Sequence, residues 1–328
     1  MRTYRCRACG APLFFENSVC VSCGSALGYS RAEHDIVPVD AAGRYVDASG
    51  LVWHVCRNLN LSGCTWLAPI EGDQCFSCSL TRVRPNDADL AGLGNFAVAE
   101  RSKRQLITEL DRLALPIRGK HEDPVDGLCF DLLSSAQGPV ITGHVDGVIT
   151  IDLSEGDVAY REQVRGMLDE PYRTMLGHFR HEVGHYFQWQ LVRDAAVVER
   201  CRELFGDERE DYQAALARHY AAGPATDWRA SFISHYAAMH PFEDFAETWA
   251  HCLHIRETLD TAAAFDLLPL PRPADPAPFR DVVSEVWVPL STALNIINRS
   301  MGREDLYPFV IPAPVLDKLD FVASLMPE

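Results

Sequence analysis

The sequence predicts an α+β chain: a mostly helical domain with a small β-sheet, preceded by two four-cysteine modules. Three observations predict it. Eight of the 11 cysteines fall before residue 80. Strand-like runs are confined to residues 127–133 and 139–152. Beyond residue 155 the apolar residues recur mostly at helical spacing.

At 328 residues the chain has room for about two domains. Thirty Lys+Arg against 46 Asp+Glu give a net charge of −16, a field that repels nucleic acid and anionic lipid. Both are therefore disfavoured as partners. No apolar run approaches the roughly 20 residues needed to span a bilayer. The opening MRTYRCRACG lacks the apolar stretch of a secretory signal, so a cytoplasmic location is expected. In that reducing compartment clustered cysteines read as metal sites rather than disulfides.

The first module holds Cys6-x2-Cys9, ten intervening residues, and Cys20-x2-Cys23. Gly10 and Gly24 follow the two pairs and relieve the tight backbone of each turn. Four thiolates aimed at one point close a tetrahedral zinc site with no open position, which makes it structural. The second set is Cys56-x7-Cys64-x10-Cys75-x2-Cys78, with one true C-x-x-C; His34 and His54 stay open as substitute ligands. Segments this short build little core, so metal binding is expected to supply their folding energy. Residues 1–80 thus read as a zinc-binding ribbon region with two four-cysteine sites, and 81–98, rich in Pro, Asn, Asp and Gly, as a linker.

From residue 99 the pattern changes. Leu106, Ile107, Leu110, Leu113 and Leu115 predict a helix that Pro116 stops. Asp146-Gly147 lies between two β-branched runs, a hairpin signal. Helices are expected over 157–169, 171–193, 195–204, 207–221, 226–238, 241–262, 280–300 and 312–325.

The chemistry is concentrated in His181-Glu182-Val183-Gly184-His185. Two histidines at i and i+4 share a helix face, so both imidazoles reach one metal, and Glu182 can point at a metal-bound water. An open zinc site needs a third protein ligand. The best candidate lies in His240-Pro-Phe-Glu243-Asp-Phe-Ala-Glu247-Thr-Trp-Ala-His251. Glu243 and Glu247 share a face among bulky apolar residues. One carboxylate can bind metal while the other hydrogen-bonds a ligand histidine. A rival pairing makes Glu247 the ligand beside His251. His178, Asp207–Asp211, the tryptophans and Cys252 read as packing or solvated surface.

H-E-x-x-H followed by E-x-F-A-E resembles the gluzincin metallopeptidases, anthrax lethal factor among them. The resemblance implies that Glu243 is the third zinc ligand and Glu247 the acid behind a histidine. It also implies that Tyr236, seven residues before Glu243, stabilises the tetrahedral intermediate; His235 and His240 are alternatives for that donor. Asp244 departs from the phenylalanine of that pattern. Over nearly its full length the chain resembles a bacterial family of zinc-binding metallopeptidases with an N-terminal zinc ribbon. The stretches that carry this are CRACGAPLFFENSVCVSCGSALGY, EPYRTMLGHFRHEVGHYFQ, HPFEDFAETWAHCLHI and NRSMGREDLYPFVIPAPV.

These resemblances imply a zincin-like catalytic domain over 99–328 that hydrolyses peptide bonds. Zn²⁺ would be held by His181, His185 and Glu243, with Glu182 as general base, and two further structural zincs would sit in the four-cysteine sites. The expected partners are a peptide or protein substrate and a protein at the ribbons. Two alternatives stay open: a ribbon-based protein-binding module with a non-catalytic helical domain, and a metal-dependent hydrolase of a non-peptide amide or isopeptide.

Overall fold

In the computed structural model the described residues are 3–157, 160–162, 174–223, 226–268 and 277–327. They fall into two compact units, Met1–Arg112 with Pro116–Arg161, and Leu113–Leu115 with Glu162–Glu328.

The first unit opens with hairpins. β1 (Tyr4–Arg5) pairs with β2 (Pro12–Leu13), and β3 (Leu27–Ser30) with β4 (Asp35–Pro38). Each Cys-x-x-Cys turn of the first module closes on a glycine: the Gly10 amide donates to the Cys6 carbonyl at 2.7 Å and the Gly24 amide to that of Cys20 at 2.8 Å. Both glycines have a left-handed φ, at 74° and 76°, which a side chain would strain. β5 (Arg44–Val46), β6 (Val52–Val55) and β7 (Leu67–Ala68) form an antiparallel sheet. Around it lie two single-turn helices, α1 (Leu59–Ser62) and α2 (Phe76–Ser79).

The segment expected as a linker is structured. β8 (Thr81–Val83) pairs in parallel with β9 (Cys129–Leu133). Helix α3 (Leu90–Arg112) begins within 81–98 rather than at 99. Asp89 caps it, accepting from the Gly92 amide at 2.8 Å. That cap outweighs the weak helix propensity of Gly92 and Gly94, part of the Pro, Asn, Asp and Gly content on which the linker reading rested. β10 (Gly143–Val145) and β11 (Val148–Asp152) complete a four-stranded sheet of order β10-β11-β9-β8. Their turn has φ of 48° at Asp146 and 77° at Gly147, as a two-residue primed hairpin requires. By packing, this sheet and α3 fall in the same compact unit as the cysteine modules.

Helix α3 is buried on two sides. Phe96, Ala99, Leu106, Ile107 and Leu110 supply the apolar side. Glu100, Lys103 and Arg104 are also buried. Lys103 pairs with Glu100 at 2.6 Å, and Arg104 pairs with Glu16 and donates to the Ser62 carbonyl at 3.1 Å. Removing one member of such a pair strands the other charge out of water. Arg104→Met is expected to destabilise the first unit by about 3–5 kcal/mol, seen as a lower urea midpoint for its Trp53 and Trp66 fluorescence.

The second unit is helical: α4 (Met175–Leu191), α5 (Ala195–Phe205), α6 (Tyr212–Ala222), α7 (Pro241–Ala264), α8 (Phe279–Val282), α9 (Val288–Ser300) and α10 (Ala313–Ser324). A π-helical turn over Val283–Trp287 joins α8 to α9. The helix expected over 226–238 is instead two short 3₁₀ turns, Trp228–Ala230 and Ala237–Met239. Most of the expected 157–169 helix, and Pro171, lie outside the described residues. α4 starts at a Thr174 cap whose hydroxyl accepts from the Gly177 amide at 2.9 Å. Phe179, Val183 and Phe187 of α4 and Phe245 and Trp249 of α7 are buried, and Phe187 and Trp249 stack across the two helices at 5.0 Å. Among the described residues no helix is long and apolar enough to cross a membrane.

Two α7 histidines, His251 buried and His254 half-buried, are held uncharged. Burial pushes His251 down to about 4 and His254 down to about 3, while His251 Nδ1 lies 2.8 Å from the Tyr307 hydroxyl. A depressed folded pKa stabilises the fold above the unfolded value near 6.5, and that contribution is lost as pH falls toward the folded values. Urea unfolding of the second unit should therefore weaken steeply from pH 6 to pH 4, with close to two protons taken up by the unfolded chain. A midpoint flat across that window would contradict the burial of neutral imidazoles.

Candidate metal centre

α4 holds His181 and His185 one turn apart, their rings edge to face at 4.8 Å. The residue between them that matters for packing is Gly184. A Cβ there would meet Ala246 Cα and Trp249 Cβ at 3.0 Å each, so the glycine lets α4 lie directly against α7. On α7, His240 caps the helix through Nδ1, which accepts from the Phe242 amide at 3.1 Å, and Pro241 follows in the first turn. Glu243 therefore sits in the first turn, where the helix dipole favours a negative charge.

Glu243 Oε2 lies 2.9 Å from His181 Nε2 and 3.5 Å from His185 Nε2. One turn on, Glu247 Oε1 lies 2.7 Å from His181 Nδ1. One donor atom each from His181, His185 and Glu243 falls within 4.8 Å of the others. Phe242 stacks on the His185 ring at 4.0 Å. Two imidazole nitrogens and one carboxylate oxygen form the donor set of an open zinc site. Glu182 Oε2 and His185 Nδ1 are buried without a hydrogen-bond partner. Buried atoms of this kind call for a ligand. The residues present fit a zinc ion.

The same contacts set the charge preferences of these groups. Burial disfavours charge on His181, but its bonds to Glu243 and Glu247 outweigh that and raise its pKa well above the ordinary value. Burial likewise pushes Glu243 up, yet His185 and His181 hold it well below the carboxylate range. The His181 bond brings Glu247 down to about 2 against its own burial. Glu182 has no such bond; burial raises it.

Other expected participants are placed as follows. The Tyr236 ring is 5.9 Å from that of His181. His240 is committed at both nitrogens, with Nε2 donating to the Glu210 carbonyl at 3.1 Å, so the alternative of His240 as oxyanion donor is set aside. His235 lies beside His219 at 4.7 Å. His251, with Nδ1 on Tyr307, is not among the converging donors. Asp207 pairs with Arg209 at the surface. Asp244 meets Lys318 of α10 at 2.6 Å, both buried.

The cysteine sets are brought together as expected. The sulphurs of Cys6, Cys9, Cys20 and Cys23 converge within 4.8 Å, as do those of Cys56, Cys64, Cys75 and Cys78. The second set is wholly buried, whereas Cys9 and Cys23 are exposed.

Two contributors escaped sequence reasoning. Gly184 was legible in principle, since a glycine inside a helical pattern signals close backbone approach. Tyr212, whose hydroxyl donates to Glu243 Oε1 at 2.8 Å, follows an ordinary Asp cap and carries no spacing signal.

Over residues 93–325 the chain matches the family described as "Putative zinc-binding metallo-peptidase", and over 3–89 a zinc-ribbon domain. The chain belongs to this zinc-binding metallopeptidase family. Uncharacterized proteins of Mycobacterium tuberculosis and Mycobacterium bovis are each 50% identical to it over 336 residues, covering 100% of this chain and 96% of theirs. No solved structure matches it.

For this family member the α4–α7 contact is the part of the centre most exposed to test. Gly184→Ala would force Ala246 and Trp249 aside. It is expected to cost about 1–3 kcal/mol in thermal unfolding of the second unit and to weaken metal retention. Unchanged stability would mean the two helices have slack.

Proposed function

We propose that the chain is a zinc-dependent metallopeptidase that hydrolyses peptide bonds, with His181, His185 and Glu243 holding the metal. The observation that carries this reading is the placement of Glu243 Oε2 against both imidazole Nε2 atoms while Glu247 occupies His181 Nδ1. A carboxylate on the far nitrogen fixes the ring and its tautomer and directs the other nitrogen to the metal. Zinc held in this way acts as a Lewis acid on the scissile carbonyl and lowers the pKa of a bound water toward about 7.

The chain's own groups supply the rest. Glu182 takes the proton of the attacking water and passes it to the leaving amine. Burial raises its pKa toward the working range, which suits a general base that must later act as acid. Tyr236 donates a hydrogen bond to the developing oxyanion, a contact worth roughly 3 kcal/mol. Its ring lies 5.9 Å from that of His181, beside the centre. The gluzincin resemblance supports these assignments through the spacing of Tyr236, Glu243 and Glu247. The two four-cysteine sets hold structural zinc and stabilise the first unit.

Metal analysis of the purified chain should find three zincs, one of them removed by a mild chelator together with hydrolysis of a protein substrate such as casein. Glu182→Gln should keep all three metals and lower kcat by at least about 10²-fold. Only two zincs per chain, or full activity in Glu182→Gln, would sink this function.

A further inference from the structure

The carboxylate that completes the centre does not stand free. Tyr212 is the first residue of α6, where Asp211 caps the helix by accepting from the Ala214 amide at 3.0 Å. From there its hydroxyl donates to Oε1 of Glu243 at 2.8 Å. Its ring meets His240 edge to face at 5.3 Å, and His240 in turn donates to the carbonyl of Glu210. The start of α6 is thus latched to the start of α7 at two points, one of them the metal-facing carboxylate.

A carboxylate has two oxygens and can bind a metal through one or both. In Glu243 the two are distinguished: Oε2 faces His181 and His185, and Oε1 is occupied by a phenol. We propose that Tyr212 is a positioning residue: it holds Glu243 Oε1 and so presents Oε2 alone to the metal, which keeps the fourth coordination position open for water and substrate. This rests on the metal site of the function proposed above, but not on the hydrolytic chemistry. Neither spacing nor motif places Tyr212 at the centre; the contacts between the start of α6 and the start of α7 do.

The test uses the full chain with zinc kept in its cysteine sites and Co²⁺ placed in the third site after mild chelation. Tyr212→Phe retains the ring against His240 and loses only the hydroxyl. It should weaken metal binding by about 10–100-fold, the usual effect of losing a hydrogen-bond partner behind a ligand. The visible Co²⁺ bands should weaken as the second carboxylate oxygen enters, while the circular dichroism spectrum is unchanged. Tyr236→Phe leaves the Tyr212–Glu243 bond in place and should keep the wild-type Co²⁺ affinity and bands. X-ray absorption at the cobalt edge of the wild-type chain should count one carboxylate oxygen, a measurement that needs no variant to fold.

Wild-type affinity and bands in Tyr212→Phe, or two carboxylate oxygens on cobalt in the wild type, would overturn the assignment. An equal loss in Tyr236→Phe would overturn it too, by showing that losing any nearby phenol, rather than the Glu243 bond, weakens the metal. A wild-type chain that takes no Co²⁺ at the third site overturns both this inference and the peptidase reading. One that binds Co²⁺ as expected yet cleaves no peptide loses the peptidase reading alone.

Discussion

The second unit depends on how closely α4 can approach α7. Two histidines one turn apart present a pair of nitrogens, but a carboxylate from a different helix reaches them only if the backbones nearly touch. Gly184 against Ala246 and Trp249 provides that contact, and Phe187 stacked on Trp249 holds it. The same approach brings Phe242 onto the His185 ring and Glu247 onto His181. One packing decision therefore sets the ligand, the carboxylate behind it and the wall of the centre together.

Buried charge is the recurring problem of this chain, and both units answer it by pairing. Four thiolates around one divalent zinc carry a net negative charge, and α3 sets Lys103 and Arg104 near the second cysteine set. Cys78 Sγ lies 3.7 Å from Glu100, which pairs with Lys103. Glu100 and Glu16 complete that network. In the second unit Asp244, where the gluzincin pattern has a phenylalanine, is not a stray charge. It is bound by Lys318, which also donates to the Ser231 carbonyl at 2.8 Å. The Asp244–Lys318 pair thus ties α10 and the chain before Tyr236 to the Glu243-bearing turn of α7.

Glycines and caps explain where local reading succeeded and where it failed. Gly10 and Gly24 mark the knuckles because a positive φ is needed there and glycine meets it locally. Asp146-Gly147 fixes the hairpin for the same reason. The polar run 81–98 misled because Asp89 as a cap and β8 as an edge strand act through partners that composition does not show. The stretch 226–238 misled in the opposite sense: its apolar spacing suits a helix, but the chain there folds into separate 3₁₀ turns, one fixed by the Ser234 hydroxyl accepting from the Ala237 amide at 3.0 Å.

The amino-acid order alone determined what repeats at short range: the cysteine pairs, the i, i+4 histidines and the i, i+4 glutamates. A helical turn or a tight knuckle brings such residues together whatever the rest of the chain does. Tertiary structure decided which glutamate faces the histidines, which of its oxygens lies against them and which tyrosine holds the other. These depend on contacts between α4, α6 and α7, tens of residues apart in sequence, where no local period survives. It also assigned β8, α3 and the four-stranded sheet to the cysteine-bearing unit, because the burial of α3 against them is a property of packing and not of spacing.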